Sequence, residues 1–299
     1  MKFGLRHIRY FIAVAEELHF RRAAERLGVA QPALSRAIQY LERELAVVLF
    51  DRTNRSVQIT RAGEAFLKGC RGIVNSIEHA VDNTKRAYLG QVGSLRIGYT
   101  DMAIAGPLPS LLKAFQDQQP DIVLQPHHGV TVTQIEKLDD DELDIGFVTG
   151  PISHSGYAQW PIASESFVCV LYESHPLAGR TSVRLEELAQ EDFVHGSSKD
   201  WQQFYSYLIP LCRRAGFVPR IVQEAFNTAG ILGLVACGMG VTILSDSVRK
   251  SVMPGLVIIP LEDVTEQLQT VVVWKADAVE GPKELFVHYL KTGVERLEM

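Results

Sequence analysis

The sequence predicts a multidomain α+β chain: a small helical head with a two-strand wing, one long helix, and a larger α/β body. Three observations lead there. Apolar residues recur at helical spacing through the first 90 positions and then give way to short strands alternating with helices. The 299 residues are too many for one ordinary core and fit two or three compact units. Charge is also divided, with 15 Lys and Arg against 9 Asp and Glu in residues 1–90, and 15 against 26 in residues 91–299.

The net charge of -5 would argue against nucleic acid if it were evenly spread. A basic head on an acidic body is instead the asymmetry expected when one segment meets phosphates and the other does not. A 46% hydrophobic and 22% charged composition is that of a globular protein. No window reaches the roughly 18 uncharged apolar residues of a membrane span, and the start lacks a secretory pattern, so the expected location is the cytoplasm, with no membrane partner. Cys70, Cys169, Cys212 and Cys237 are scattered without C-x-x-C spacing, which predicts free thiols. His127 and His128 are adjacent and would point to opposite faces of a strand, so no metal site is expected.

In the head, Leu5, Ile8, Phe11, Ile12, Ala15 and Leu18 build one apolar stripe and predict a helix from about Leu5 to Glu17. Phe20 to Leu27 continues with Ala23, Ala24 and Leu27 inward, and Gly28 stops it. Gln31 and Pro32 open a third helix, with Pro placed where no intrahelical N–H is lost. Ala33, Leu34, Ala37, Ile38 and Leu41 form its inner side, leaving Ser35, Arg36, Gln39 and Arg43 outside. Leu49-Phe50 and Val57 to Ile59 flank a polar turn with Arg52, Asn54 and Arg55, as the strands of a wing would. Thr60 caps a run from near Ala62 to about Gln91. A helix of some 28 residues spans roughly 42 Å, too long to bury itself on one small domain, so its stripe is expected to pack on another copy.

After Gly90 and Gly93 the pattern alternates. Strands are predicted at Leu95 to Tyr99, Ile122 to Gln125, Leu143 to Val148, Phe167 to Tyr172, Phe193-Val194, Ile221-Val222, Val241 to Leu244 and Thr270 to Trp274. Helices are predicted at Leu108 to Phe115, Phe204 to Ala215, Ala229 to Gly238 and Lys283 to Arg296. Such alternation implies parallel βαβ units.

The series Phe11-x-Ala-Val-Ala, Phe20-x-x-Ala-Ala-x-x-Leu, Gln31-Pro-Ala-Leu-Ser-x-x-Ile, Leu41-Glu, Leu49-Phe50 and Thr60-Arg-Ala-Gly resembles the LysR-type transcriptional regulators. Leu143-Asp144-Ile145-Gly146 and Gly238-Met239-Gly240-Val241 carry the likeness through the body. The resemblance implies a winged helix-turn-helix in residues 1–60, a dimer-forming linker helix in 61–91, and an effector-binding domain in 92–299 similar to periplasmic binding proteins. Its two α/β lobes, joined by two crossing strands, would comprise about 92–162 with 268–299, and about 163–267, with a small ligand between them. The implied partners are double-stranded DNA, a small-molecule effector and further copies of the chain, as dimers and tetramers, with RNA polymerase a further candidate.

A helix fits the major groove, where Arg can bridge guanine O6 and N7 and Gln can bridge adenine N6 and N7. Arg36 and Gln39 are therefore the candidate base readers. Gln31 and Ser35 near the helix start can reach bases or phosphates, Pro32 can make apolar contact, and Arg52 and Arg55 suit the backbone or the narrower groove. In the body, Thr100, Asp101 and Met102 follow the first strand and so should line the crevice at its carboxyl end, as should Gly129, Thr131 and Thr133. From the facing lobe come Gly196, Ser197 and Ser198, then Phe226, Asn227 and Thr228. N–H groups at helix starts suit a small carboxylate. Relatives that bind aromatic acids carry a small hydroxyl residue where this chain has Met102, so Thr131 or Thr133 would supply the hydroxyl here.

Two rivals belong beside this reading. A redox-responsive regulator of the same family would need a reactive cysteine pair, and a solute-binding protein would share the body but lack the head. An enzyme is not expected: the chain holds no Gly-x-Ser-x-Gly elbow, phosphate loop or His-Glu-x-x-His, Gly238-Met-Gly240 lacks the third glycine of a dinucleotide fingerprint, and no cofactor is implied.

Overall fold

The computed structural model describes residues 3–52, 56–88, 93–153, 155–251, 253–276 and 279–294. It divides into two compact units, one containing residues 1–85 and the other most of the remainder.

In the first unit three helices, α1 (Leu5–Glu17), α2 (Phe20–Leu27) and α3 (Gln31–Leu45), pack around Phe11, Val14, Ala23, Leu34, Ile38 and Leu41. α2 ends where Gly28 turns left-handed at φ 65°, and its N–H and that of Val29 close onto the carbonyls of Glu25 and Ala24. β1 (Phe50–Arg52) and β2 (Val57–Ile59) pair antiparallel as the wing. Glu42 of α3 fixes that wing: its Oε1 accepts from the N–H of Leu49 at 3.0 Å and of Phe50 at 3.2 Å. Thr60 then caps α4 (Arg61–Tyr88), accepting from the Gly63 N–H at 3.0 Å while its own hydroxyl donates to the Val48 carbonyl at 2.8 Å. Gly63 has no alternative, because a Cβ there would lie 2.3 Å from the Leu49 carbonyl oxygen. The physical content of the Thr-Arg-Ala-Gly motif is thus a cap followed by a backbone-to-backbone approach. The expected end of this helix at 89–91 lies outside the described residues, as does the expected end of the last helix at 295–296.

In the second unit β3 (Gly93–Tyr99) lies between β4 (Ile122–His128) and β5 (Ile145–Gly150), parallel to both. The short α5 (Asp101–Ala105), α6 (Leu108–Gln118) and α7 (Thr131–Asp139) connect them. Alternation along the strands divides the lobe core in two. Leu95, Ile97, Phe147 and Val272 face Phe115 and Phe286, while Val148, Val271 and Val273 face Leu138 and Leu143. Asp144 anchors the start of β5 by accepting from the backbone and guanidinium of Arg96.

Beside the expected parallel units run two long strands, β6 (Tyr157–Tyr172) and β11 (Gln267–Lys275), as the two crossing strands implied by the resemblance would. They run antiparallel to each other from Tyr157 to Ser166, and β11 also runs antiparallel to β5. Beyond Ser166, β6 continues into a second lobe, pairing antiparallel with β9 (Thr242–Ser245) and β10 (Leu256–Pro260). There β7 (Asp192–Gly196) and β8 (Arg220–Ala225) form a parallel pair. α8 (Gln202–Arg214) and α9 (Thr228–Ala236) cover this lobe around Phe193, Leu208, Leu232 and Ile243, and α10 (Pro282–Val294) returns to the first lobe. The sheet is therefore mixed, and two continuous strands carry the chain from lobe to lobe.

Candidate functional site

α3 begins without a side-chain cap and without an acidic residue in its first turn, so the positive end of its dipole is uncompensated. Leu34, Ile38 and Leu41 are fully buried, and the spacing of three and four then forces Gln31, Pro32, Arg36, Gln39 and Arg43 onto the exposed side, with Ser35 half-buried beside them. The Arg36 Nε donates to the Pro32 carbonyl at 3.3 Å, which turns its guanidinium back along the helix towards the N-terminal turn. Arg52, expected to suit the DNA backbone or the narrower groove, is engaged within the head. Its guanidinium bonds to the Glu42 Oε2 at 2.7 Å and lies over the Phe20 ring at 4.7 Å, so it ties the wing to α2 and α3. Arg55 lies outside the described residues.

Between the lobes of the second unit is a cavity of about 590 Å3. Of the twelve residues predicted to line it, Thr100, Asp101, Met102, Gly129, Thr131 and Thr228 do. The other six do not, each for a local reason. Thr133 lies two residues beyond Thr131, on the other side of α7, and does not line the cavity. Gly196 is covered by the Trp201 indole, whose ring atoms stand 2.2 Å from where a Cβ would be. The Ser197 hydroxyl donates to Asp200 at 2.7 Å and accepts the Asp200 N–H, closing the turn before α8, while Ser198 is exposed outside it. Asn227 caps α9 by accepting from the Gly230 N–H at 2.8 Å. Phe226 points away and is 91% exposed.

Other segments make up the remaining wall. Ile104, Pro109 and Met253 supply apolar surface, Trp201 and Phe204 supply rings from the start of α8, Ser245 comes from the end of β9, and Ser247 and Lys250 come from the 3-10 turn after it. Thr131 accepts the Thr149 N–H at 3.1 Å, so its hydroxyl is already oriented. Asp101 spans the cleft mouth: its Oδ1 pairs with the His128 Nε2 at 2.7 Å and its Oδ2 accepts the Thr228 N–H at 2.6 Å. On the far side, Gln203 of α8 donates to the Pro151 carbonyl at 2.8 Å and the Tyr207 hydroxyl donates to the Gly150 carbonyl.

Behind the cleft, His195 is wholly buried among Trp201, Phe204 and Tyr205, with ring centroids 5.1, 4.9 and 5.0 Å away. Burial lowers its pKa from 6.5 to about 4. The unfolded chain takes up a proton below pH 6.5 that the folded chain refuses until about pH 4. Stability present at neutral pH is therefore lost as pH falls through that window, by up to about 3 kcal/mol. Thermal melts should show a smaller decline between pH 7 and 4.5 for His195→Gln than for wild type, and equal declines would contradict this role.

Cys70, Cys169 and Cys212 are buried, and burial pushes their thiols up, to about 12 for Cys70 and Cys212, which disfavours the reactive thiolate. Cys237 is exposed. Among the described residues no cluster of His, Cys, Asp or Glu could hold a metal, and no helix is long and apolar enough to cross a membrane.

This pairing of a basic helical face with a two-lobed cleft has known counterparts. Residues 5–64 match the family described as bacterial regulatory helix-turn-helix protein, lysR family, and residues 90–294 match the LysR substrate binding domain. The chain belongs to the LysR family of transcriptional regulators. Among LysR relatives, the HTH-type transcriptional regulator AlsR of Bacillus subtilis (strain 168) is 33% identical over 284 residues, covering 95% of this chain and 94% of that one. The solved structure of the LysR family transcriptional regulator CbnR is 26% identical with a TM-score of 0.76, covering 98% of this chain and 99% of that one. Full-length CbnR complexed with its target DNA is 27% identical with a TM-score of 0.75, covering 97% and 99%. These counterparts are DNA-binding regulators, not enzymes, and the same holds for this LysR chain.

Proposed function

We propose that this LysR protein binds operator DNA through the exposed side of α3 and changes that binding when a small carboxylate, aromatic ones foremost, occupies the cleft of its effector domain. The observation that carries the reading is the joint presence of an uncompensated, basic α3 face and a mainly apolar cavity edged by hydroxyl and other polar side chains in one chain. Arg36 and Gln39 read base edges, Gln31, Pro32 and Ser35 complete the contact, and Arg55 reaches the backbone while Arg52 holds the wing in place. Thr100, Thr131 and the N–H groups at the start of α9 address the polar end of the ligand, and Met102 packs on its apolar part.

The domain division at 1–60, 61–91 and 92–299 is part of the proposal. α4 keeps Ile73, Ile77 and Val81, spaced by four residues, 47%, 38% and 48% exposed, and Tyr88 91% exposed. That stripe is the surface on which a second copy pairs, bringing two heads to a two-fold related site, with tetramers spanning two such sites. The protein acts in the cytoplasm, with RNA polymerase as a further partner.

The test is selection of fragmented genomic DNA on the full-length protein, followed by footprinting of retained fragments with and without small carboxylic acids that raise its melting temperature. The protected region should change with at least one such acid. Ala229 lines the cavity from the exposed first turn of α9, and Ala229→Trp should remove that ligand dependence by filling the space. No enriched fragment, or one protected region under every stabilising acid, would overturn the proposal.

A further inference from the structure

We infer that Asp101 is a tethered carboxylate occupying the anion-binding end of α9, so that an acidic ligand enters the cleft by displacing it. This deepens the cleft reading proposed above and rests on it. α9 is nine residues long and has no acidic residue in its own first turn. Its first N–H donors are nonetheless engaged: Asn227 takes that of Gly230, and Asp101 reaches across from the other lobe to take that of Thr228 at 2.6 Å. A carboxylate at that distance from a helix-start N–H is the arrangement an acidic ligand would make there. The chain supplies it from within, and His128, at 2.7 Å from the second oxygen, completes the seat.

One seat cannot hold two carboxylates. Like charges at hydrogen-bonding distance of the same donors repel, and a second acid finds the Thr228 N–H already taken. Among the described lining residues Lys250 is the one Lys or Arg, while Asp200 adds a further acid already bonded to Ser197. An incoming carboxylate therefore exchanges with that of Asp101. The Thr228 N–H and His128 pass to the ligand, the Asp101 side chain turns to solvent, and a bond that joined one lobe directly to the other is replaced by one through the ligand. Exchange gives the cleft two states that differ in an inter-lobe bond, which is what coupling of occupancy to lobe geometry requires. It also sets specificity, since a ligand must outbid an internal group whose bound fraction lowers the apparent affinity.

The experiment is calorimetric titration of the full-length protein, as wild type, Asp101→Ala and Asp101→Asn, with benzoate and with benzyl alcohol, which keeps the ring without the charge. Asp101→Ala should bind benzoate about tenfold or more tightly than wild type, with Asp101→Asn between them, because the amide still accepts from Thr228 but carries no charge. Benzyl alcohol should bind all three alike. Unchanged, weaker or undetectable benzoate binding in Asp101→Ala would overturn the inference, as would equal tightening of benzyl alcohol, which would signify added space alone. Should Asp101→Ala fail to fold, Asp101→Asn decides in the same sense. A wild-type footprint that still responds to acids leaves the cleft reading standing when this inference fails, whereas loss of that response strikes the cleft reading itself.

Discussion

Ile77→Glu should convert the protein to monomers and weaken operator binding by at least about a hundredfold, because two linked heads on adjacent half-sites gain that factor or more over one head. Ile77 lies in the middle of the exposed α4 stripe, with Ile73 one turn before it and Val81 one turn after. Glutamate is a good helix former and the position is outside the first unit's core, so the helix itself should persist. What fails is association, since a charge would have to be buried against its own symmetry mate. Sedimentation velocity and a gel-shift titration report the two effects separately. A variant that sediments like wild type would place the copy-to-copy contact elsewhere.

The second large effect is at the reading helix. Arg36→Ala should cost about 1–3 kcal/mol of operator binding, roughly fivefold to 150-fold in affinity, and should relax preference at one base pair. Arg36 is exposed and its only intramolecular bond described is to the Pro32 carbonyl, so the head should melt as before. Arg52→Ala offers the contrast. It breaks the link to Glu42 and the contact with Phe20, and any loss of binding should come with a lower melting temperature. An Arg36→Ala protein that shifts DNA at wild-type concentrations would remove this side chain from the interface.

The head was legible because its local signals agree. Gln31-Pro32 marks a helix start, and Leu34, Ile38 and Leu41 leave one consistent outer side, so helix and face follow together. The body was less so. The first half of β6 went unseen because Tyr157 to Ser166 mixes apolar and polar residues out of step, contains Pro161 and stays partly exposed, giving no alternation to detect. β10 has an apolar run of only four residues before Pro260, and the five-residue α5 is too short for periodicity. In the cleft, the rule that ligands sit beyond strand carboxyl ends found the right loops for Thr100 to Met102, Gly129, Thr131 and Thr228. It names loops, not side-chain directions, so Asn227 was included although its oxygen is engaged in capping, and Gly196 although an indole covers it. The same rule applied to Val241 to Leu244 leads to Ser245, Ser247 and Lys250, which the sequence reading passed over.

The close approach of Gly63 to the Leu49 carbonyl, beneath the Thr60 cap, leaves little slack where the stem joins the head. Whatever tilt or rotation the stem undergoes is handed on to α3 as a rigid lever would hand it on, without an intervening swivel. If α3 meets the duplex as proposed, the angle of two such helices would be inherited from the stems, and regulation would need only to turn those stems, leaving the α3 face itself unaltered.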